Sequence, residues 1–279
     1  MTTTLRPAGP LQQSADGTAA RTFEVCVNSR PVGEIELGTS AGFGPAAGEI
    51  RSLRIDEADR RRGRGTVAAL AAEEVLRGWR CEQVLVSIPA AATAAHHLAA
   101  ALGYTERGRN MSKPLTTAPE PLPGLTVRPM TEAEFEDFAG ESREGFARDW
   151  IERGVPEAQA RAKAETSQRE LLPDGLATEG AVLRVVTGAD GRVVGRLWTG
   201  ERERSPGERM GYVYDIEVAA DQRGRGIGRA LMGCAERTGL ERGYRHLGLH
   251  VFADNPPALR LYTSLGYETT YINSYKPLL

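Results

Sequence analysis

MGYVYDIEVAADQRGRGIGRALMG, residues 210–233, joins two different periodicities through a glycine-rich break. Its opening, MGYVYDIEV (210–218), is rich in aromatic and β-branched side chains and reads as a strand. From Gly226 onward the apolar residues fall at helical spacing, so the segment 226–243 reads as a helix. Between the two stand Arg223, Gly224, Arg225, Gly226, Ile227, Gly228 and Arg229. Glycine lets a backbone turn tightly and lie close against a ligand. A helix N-terminus offers free N–H groups and about half a positive charge, which suits an anion such as a diphosphate. Arg223, Arg225 and Arg229 add cationic charge around that point. The loop is not a Walker loop, because no G-K-[ST] follows. Nor is it G-x-G-x-x-G, because Arg229 stands where the third glycine belongs. Taken alone, a flexible turn has the same composition, so the neighbours decide.

Outward from the loop, HLGLHVF (246–252) reads as a strand and NPPALRLYTSL (255–265) as a helix closed by Gly266. A last strand is expected from about Tyr267 to Tyr275. Upstream, LTVRPM (125–130) is a short strand, and T-E-A-E (131–134) is a capping start for a helix. PEAQARAKAETSQRELL (156–172) is a second helix with proline at its entry, followed by the strands AVLRVVTG (181–188) and RVVGRLWTG (192–200). The order β-α-α-β-β-β-α-β-α-β predicts an α/β domain with a mixed sheet.

The run Arg223–Gly228 satisfies R-x-x-G-x-G, and it follows the strand Asp215-Ile216-Glu217-Val218. Downstream, residues 255–267 meet every position of N-x-x-A-x-x-x-Y-x-x-x-G-[FY]. Together these motifs resemble the acetyl-CoA pyrophosphate loop and the following helix of the GNAT N-acetyltransferase superfamily, over essentially all of 125–279. The stretch ELLPDGLAT (170–178), with VGRLWTG and LHVFADN, is similar to a bacterial subgroup of small GNAT proteins.

The resemblance implies acetyl-CoA as acyl donor, its diphosphate held at 223–229. The backbone around Ile216 and Val218 would bond the pantetheine amides between splayed strands. Asn255 would contact the cofactor arm, and Tyr262 would be the general acid that protonates the departing thiolate. A phenol, with an ordinary pKa of about 10, keeps its proton at neutral pH. Tyrosine is equally at home in a core. His250 occupies a position where some members carry a catalytic Glu. It is one candidate base, or else a satisfied structural histidine. Glu217 and Asp215 are the competing bases.

The N-terminal half contains a second set of such elements. TFEVCVNS (22–29) and PVGEIELG (31–38) read as strands, followed by a strand near 49–55 and the loop DRRRGRG (59–65). A helix at 66–79, a strand at 83–88 and a helix at 92–102 complete it. LGYTERGRNMSKPL (102–115) and LGYETTYINSYKPL (265–278) match at the offset 265 − 102 = 163. The chain therefore reads as a tandem duplication whose first copy lacks the two early helices. Arg60–Gly65 satisfies R-x-x-G-x-G literally, but aligning Gly78-Trp79 with Gly243-Tyr244 displaces the loop by two residues, so no single register is expected to fit loop and helix. At offset 163, Ala92 faces Asn255 and Ala99 faces Tyr262, which predicts a degenerate copy without transfer chemistry. The expected layout is a disordered lead-in at 1–20, a degenerate GNAT-like domain at 21–116, a Pro-rich linker at 117–124 and a catalytic GNAT domain at 125–279. Each domain is expected to be a mixed, mostly antiparallel twisted sheet flanked by helices.

Composition narrows the partners. Of 279 residues, 41% are hydrophobic, enough for a core in each half, and the net charge of −2 gives no global attraction to nucleic acid or anionic membrane. Cys26, Cys81 and Cys234 are scattered and imply neither disulfide framework nor metal site. No apolar leader or spanning stretch is present, so a cytoplasmic protein, monomeric or homodimeric, is expected. The predicted activity is acyl transfer from acetyl-CoA to a primary amine of a small molecule or protein. An aminoacyl-tRNA donor on the same fold, or a non-catalytic CoA-binding module, is the alternative.

Overall fold

The computed structural model describes residues 3–15, 17–117, 120 and 123–278. The chain forms two compact units that share sequence in an interleaved way. One comprises Met1–Arg107 with Tyr271–Leu279, the other Gly108–Thr270.

In the first unit the strands are β1 (Thr3–Pro7), β2 (Gln12–Gln13), β3 (Ala19–Val27), β4 (Arg30–Ser40), β5 (Gly44–Ile55) and β6 (Gln83–Pro89), with helices α1 (Arg64–Gly78) and α2 (Thr93–Ala101). The sheet runs β1-β3-β4-β5-β6, antiparallel except for the β5–β6 pair. Val25, Val32, Ile35, Leu37, Ala68, Ala72 and Leu76 form its core between sheet and α1. The lead-in expected to be disordered is instead ordered at its described residues. Thr3–Pro7 pairs with Val27–Phe23, and Leu5 packs on the core. Its composition is polar, but β3 would otherwise be an open edge, and covering that edge supplies order that composition does not show.

The second unit begins with residues from β7 (Thr105–Pro114). It continues with β8 (Thr126–Pro129), α3 (Glu132–Glu152), α4 (Glu157–Leu171), β9 (Val182–Thr187), β10 (Val193–Ser205) and β11 (Glu208–Val218). α5 (Ile227–Glu241), β12 (His246–Phe252) and α6 (Pro256–Ser264) follow, and then β13 (Glu268–Pro277), which from Tyr271 onward belongs to the first unit. The expected cap of α3 is present. Thr131 Oγ1 accepts from the Glu134 N–H at 3.3 Å, Glu134 accepts from the Thr131 N–H at 2.9 Å, and Arg128 clamps the Glu134 carboxylate. The sheet order is β8-β9-β10-β11-β12-β7, again with one parallel pair, β11–β12. One face packs on α5 and α6 through Leu197, Leu231, Met232, Leu247 and Leu249, and the other on α3 and α4 through Phe138, Leu183, Val185 and Trp198.

Each unit is closed by the last strand of the other repeat. His246–Phe252 registers against Pro114–Gly108, and Gln83–Pro89 against Pro277–Tyr271. The closing strands carry matching anchors. Lys113 Nζ meets both oxygens of buried Glu236 at 2.9 Å, and Tyr267 donates to the same carboxylate at 3.2 Å. In the other unit Lys276 Nζ meets buried Glu73 at 2.7 and 2.9 Å, beside Tyr104. All three pairs stand 163 apart: 276 − 113, 236 − 73 and 267 − 104. The compact units therefore do not divide at the Pro-rich stretch 117–124, of which Ala118, Pro119, Pro121 and Leu122 lie outside the described residues.

The same offset also runs through loop and helix, which corrects the expected misfit. α1 starts after Gly63 at φ 73° and α5 after Gly226 at φ 83°, and 226 − 63 = 163. Arg61 (φ 57°) takes the place of Gly224 (φ 76°), and Arg80 (φ 64°) that of Gly243 (φ 77°). Matching glycine to glycine at the helix ends hid the register, because an arginine holds the left-handed position in the first copy.

Candidate active site

The site starts where two strands part. β11 and β12 pair in parallel only at Gly211↔Leu247, Tyr212↔Gly248 and Val213↔Leu249. Beyond that, β11 continues to Val218 and β12 to Phe252 without pairing to each other, which opens a wedge between them. A bulge sits at the point of divergence. Trp198 faces Asp215 and Thr199 faces Val213, which leaves Tyr214 as the extra residue. A bulge bends its strand and re-aims the next side chains. Ile216 packs on the α5 face, whereas Asp215 turns to α3, where Ser142 Oγ donates to it at 3.3 Å.

At the open end, β11 gives way to a turn, Ala220–Gln222, and then to the arginine-glycine loop. Its glycines serve different needs. Gly224 and Gly226 hold positive φ. A Cβ on Gly228 would stand 3.2 Å from Leu261 Cδ2, so this glycine lets α5 and α6 approach. Ile227 is buried and anchors the helix start, while Arg223, Gly224, Arg225 and Gly226 are exposed. Arg229 donates to Ser264 Oγ at 2.6 Å, and Arg223 Nε to the Val218 carbonyl at 3.3 Å. Arginines thus stand on either side of the α5 N-terminus in sequence, where an anion is favoured.

The titratable groups fall into two neighbourhoods. In the first, burial, and then the charge of Glu217, push the Asp215 carboxyl up to about 6. Glu217 itself is exposed. Tyr262, buried on α6, has its phenol pushed up to about 12 by burial and by the charge of Asp215. The charge of Glu217 thus acts on Asp215, and that of Asp215 on Tyr262. In the second neighbourhood His250 stacks on Trp150 of α3, ring centroids 6.3 Å apart and planes at 21°, with Phe252 edge-on at 5.0 Å. Burial, and then the cations Arg202, Lys163 and Arg153, push this imidazole down to about 4, so it is neutral at neutral pH. Asn255 caps α6, its Oδ1 accepting from the Ala258 N–H at 3.1 Å.

Ser142, Trp150 and the bulge at Tyr214 are site features that sequence reading missed. Ser142 and Trp150 lie on a helix whose pattern marks its buried stripe but not what stands opposite. A bulge has no residue signature at Tyr214. Among the described residues no group of His, Cys, Asp or Glu is placed to hold a metal ion, and no helix is long and apolar enough to cross a membrane.

The chain matches the model of the Acetyltransferase (GNAT) family over residues 4–104 and 144–267, one match in each repeat. It is 31% identical over 155 residues to an uncharacterized N-acetyltransferase, YdgE, of Bacillus subtilis, covering 55% of this chain and 98% of that protein. It is also 31% identical over 234 residues to a mycothiol acetyltransferase of Saccharomonospora viridis, covering 79% of this chain and 71% of that one. Among solved structures, a GCN5-related N-acetyltransferase from Sphaerobacter thermophilus superimposes with a TM-score of 0.58 at 22% identity, over 92% of this chain and 80% of its own. A tandem GNAT protein from the clavulanic acid biosynthesis pathway gives 0.53 at 18% identity, over 96% and 85%. Likenesses at that identity speak for the fold: two tandem α/β units of this type.

Proposed function

Since the chain belongs to the GNAT family of acetyltransferases, we propose that its second unit transfers the acetyl group of acetyl-CoA to a primary amine by direct attack. The diphosphate lies on the α5 N-terminus among Arg223, Gly224, Arg225, Gly226, Ile227, Gly228 and Arg229. The pantetheine arm enters the wedge, bonding the freed backbone near Ile216 and Val218, with Asn255 beside it. The amine nitrogen attacks the thioester carbonyl carbon and gives up a proton to the Asp215 carboxylate, directly or through a water. The C–S bond then breaks, and the thiolate takes the proton of the Tyr262 phenol. A base works best when its pKa lies near the working pH. Asp215 at about 6 meets that better than His250 at about 4, and Glu217 contributes by raising Asp215. In this reading His250 is a packing partner of Trp150.

What carries the proposal is one conjunction: the wedge opens beyond Val213 and Leu249, and the next residues bring a carboxylate within electrostatic reach of a buried phenol. The first unit has a wedge too, but Ala92 and Ala99 stand at the positions of Asn255 and Tyr262, so it is assigned no transfer chemistry.

Calorimetry with acetyl-CoA tests the donor. One site is expected, lost in Gly226→Val, because a β-branched residue does not tolerate that φ. Absence of binding by the unaltered protein would sink the acetyl-CoA reading and bring forward a tRNA-borne donor. Thiol release across an amine panel then tests the acceptor class.

A further inference from the structure

Helix α3 is fastened to both sides of the wedge. On the β10/β11 side two consecutive residues make the contacts. Glu141 pairs with Arg196 of β10 at 2.5 Å, and Ser142 Oγ donates to Asp215 Oδ2 of β11 at 3.3 Å. On the β12 side Arg153, at the end of the helix, donates to Asp254 Oδ1 at 2.7 and 3.0 Å. Its guanidinium also lies over the Phe252 ring, 3.8 Å from the centre. From Ser142 to Arg153 is 153 − 142 = 11 residues, about 16 Å of helix.

The serine contact does more than fasten the helix. Burial of the Asp215 carboxyl is the main influence against its charge, followed by Glu217 two residues along the strand. Three groups favour the charge: first the Ser142 hydroxyl, then the Ile216 backbone N–H, then Arg196. Arg196 is divided among carboxylates, because it is paired with Glu141 and registers against Glu217. Tyr262 of α6 is the remaining titratable neighbour, and it responds to the charge of Asp215.

The first unit lacks this set. Glu34 holds the strand position of Arg196, Ser52 that of Asp215 and Arg54 that of Glu217. The cross-strand pair there keeps opposite charges with the signs reversed, Glu34↔Arg54 against Arg196↔Glu217. Of the two repeats, the one with a strand cation to hold α3 is also the one with an acid for α3 to hold.

We infer that Ser142 is a positioning residue: its hydroxyl holds the Asp215 carboxylate as acceptor of the amine proton, and the Glu141–Arg196 pair keeps Ser142 in reach. Ser142 donates a hydrogen bond and retains its own proton throughout. The inference rests on the acyltransfer reading for the origin of the transferred proton, but not for the hydrogen bond.

Two readouts keep the two apart. In the resting protein, without acetyl-CoA, the Asp215 carboxyl is titrated through its carbon-13 resonance. A hydrogen bond to the ionised form favours that form, so Ser142→Ala should raise the midpoint from about 6 by about one pH unit. Ser142→Thr keeps a hydroxyl and should restore the midpoint. With acetyl-CoA and an amine, the acid limb of kcat/KM should move by the same amount, a loss of about tenfold near pH 5 and far less near pH 8. Alanine is the better helix former, so Ser142→Ala is expected to fold. Arg153→Gln is the control, because it loosens the other end of α3 and should leave both midpoints in place. Unmoved midpoints in Ser142→Ala, or equal movement in Arg153→Gln, would overturn the inference. A resting titration that moves in a protein without turnover would instead strike the acyltransfer reading alone.

Discussion

The two units share a backbone plan and differ in a few side chains. Both open a wedge after a short parallel pair, Gly48↔Val84 and Glu49↔Leu85 in one, Gly211↔Leu247 and Tyr212↔Gly248 in the other. Both have a bulge that leaves one extra residue on the long strand, Arg51 or Tyr214, and both start the next helix on a left-handed glycine. What differs is what the wedge meets. Ser52 stands where the second unit has Asp215, Ala99 where it has Tyr262, and among the described residues the first unit has no counterpart of α3 or α4. At the helix start, Arg64 takes the place of Ile227. It is buried against Asp59, which Arg30 also holds at 2.9 Å, so a charge cluster stands where the second unit has a methyl-rich anchor. The wedge is thus separable from the side chains to which we assign the chemistry.

The comparison breaks most completely if the repeats are separated. A fragment 117–279 keeps every proposed catalytic residue but loses β7, leaving the β12 edge open and Glu236 buried without Lys113. Removing one partner of a buried pair costs about 3–5 kcal/mol, a large part of a domain's stability. The fragment is expected to lack a cooperative melt and activity, and to regain both when co-expressed with residues 1–116. A soluble, active fragment on its own would show that the strand exchange is dispensable.

Within the intact chain, Tyr262→Phe should lower kcat by about 10²- to 10⁴-fold, the usual range for a lost general acid. Acetyl-CoA affinity should hold, as read by calorimetry. The reciprocal change, Ala99→Tyr, should add no turnover when the second unit is silenced by Tyr262→Phe, because Ser52 supplies no base. Turnover from that double variant would make the first unit a dormant enzyme rather than a partner in folding.

The pH profile sharpens the base assignment. Asp215 must be ionised to accept a proton, so kcat/KM for the amine should rise through about pH 6, and Asp215→Asn should lower the rate and erase that limb. The stability signs oppose each other. A carboxyl raised to about 6 favours the fold when protonated, and that contribution is lost as pH rises through 6. An imidazole lowered to about 4 favours the fold when neutral; its contribution is complete above the ordinary 6.5 and is lost as pH falls toward 4. His250→Phe should therefore flatten the loss of melting temperature between about pH 6.5 and 4 with little change in the rate limb.

Much of this plan is legible in the sequence because its signals are local. The loop, the helix starts and the Thr131 cap rest on residues near one another in the chain, and the repeat rests on two short strings that match at a fixed offset. The strand exchange is not legible, for a specific reason. Lys113 and Lys276 sit in matching strands, and Glu73 and Glu236 in matching helices, so pairing within a repeat and pairing across repeats satisfy the same pattern. The order of the N-terminal strand was hidden because it comes from the edge it covers. Ser142 was hidden because, among the described residues, α3 has no counterpart in the first repeat to compare it with.

The smallest test concerns the helix ends, where the two units reach one backbone by different residues. α1 closes with the Cys81 N–H on the Leu76 carbonyl at 3.0 Å and α5 with the Tyr244 N–H on the Gly239 carbonyl at 2.9 Å, the same two-bond ending. The left-handed residue between is Arg80 in the first and Gly243 in the second. A side chain at that conformation costs roughly 1–2 kcal/mol. A glycine removes that cost but frees the unfolded chain by about 0.4–1 kcal/mol. Arg80→Gly should therefore stabilise the protein by up to about 1.6 kcal/mol, and Gly243→Arg should destabilise it by a similar amount, read as opposite shifts in thermal midpoint. Equal shifts of the same sign would mean that the two helix ends are not equivalent, and that Arg80 is kept for a contact of its guanidinium rather than tolerated for its backbone.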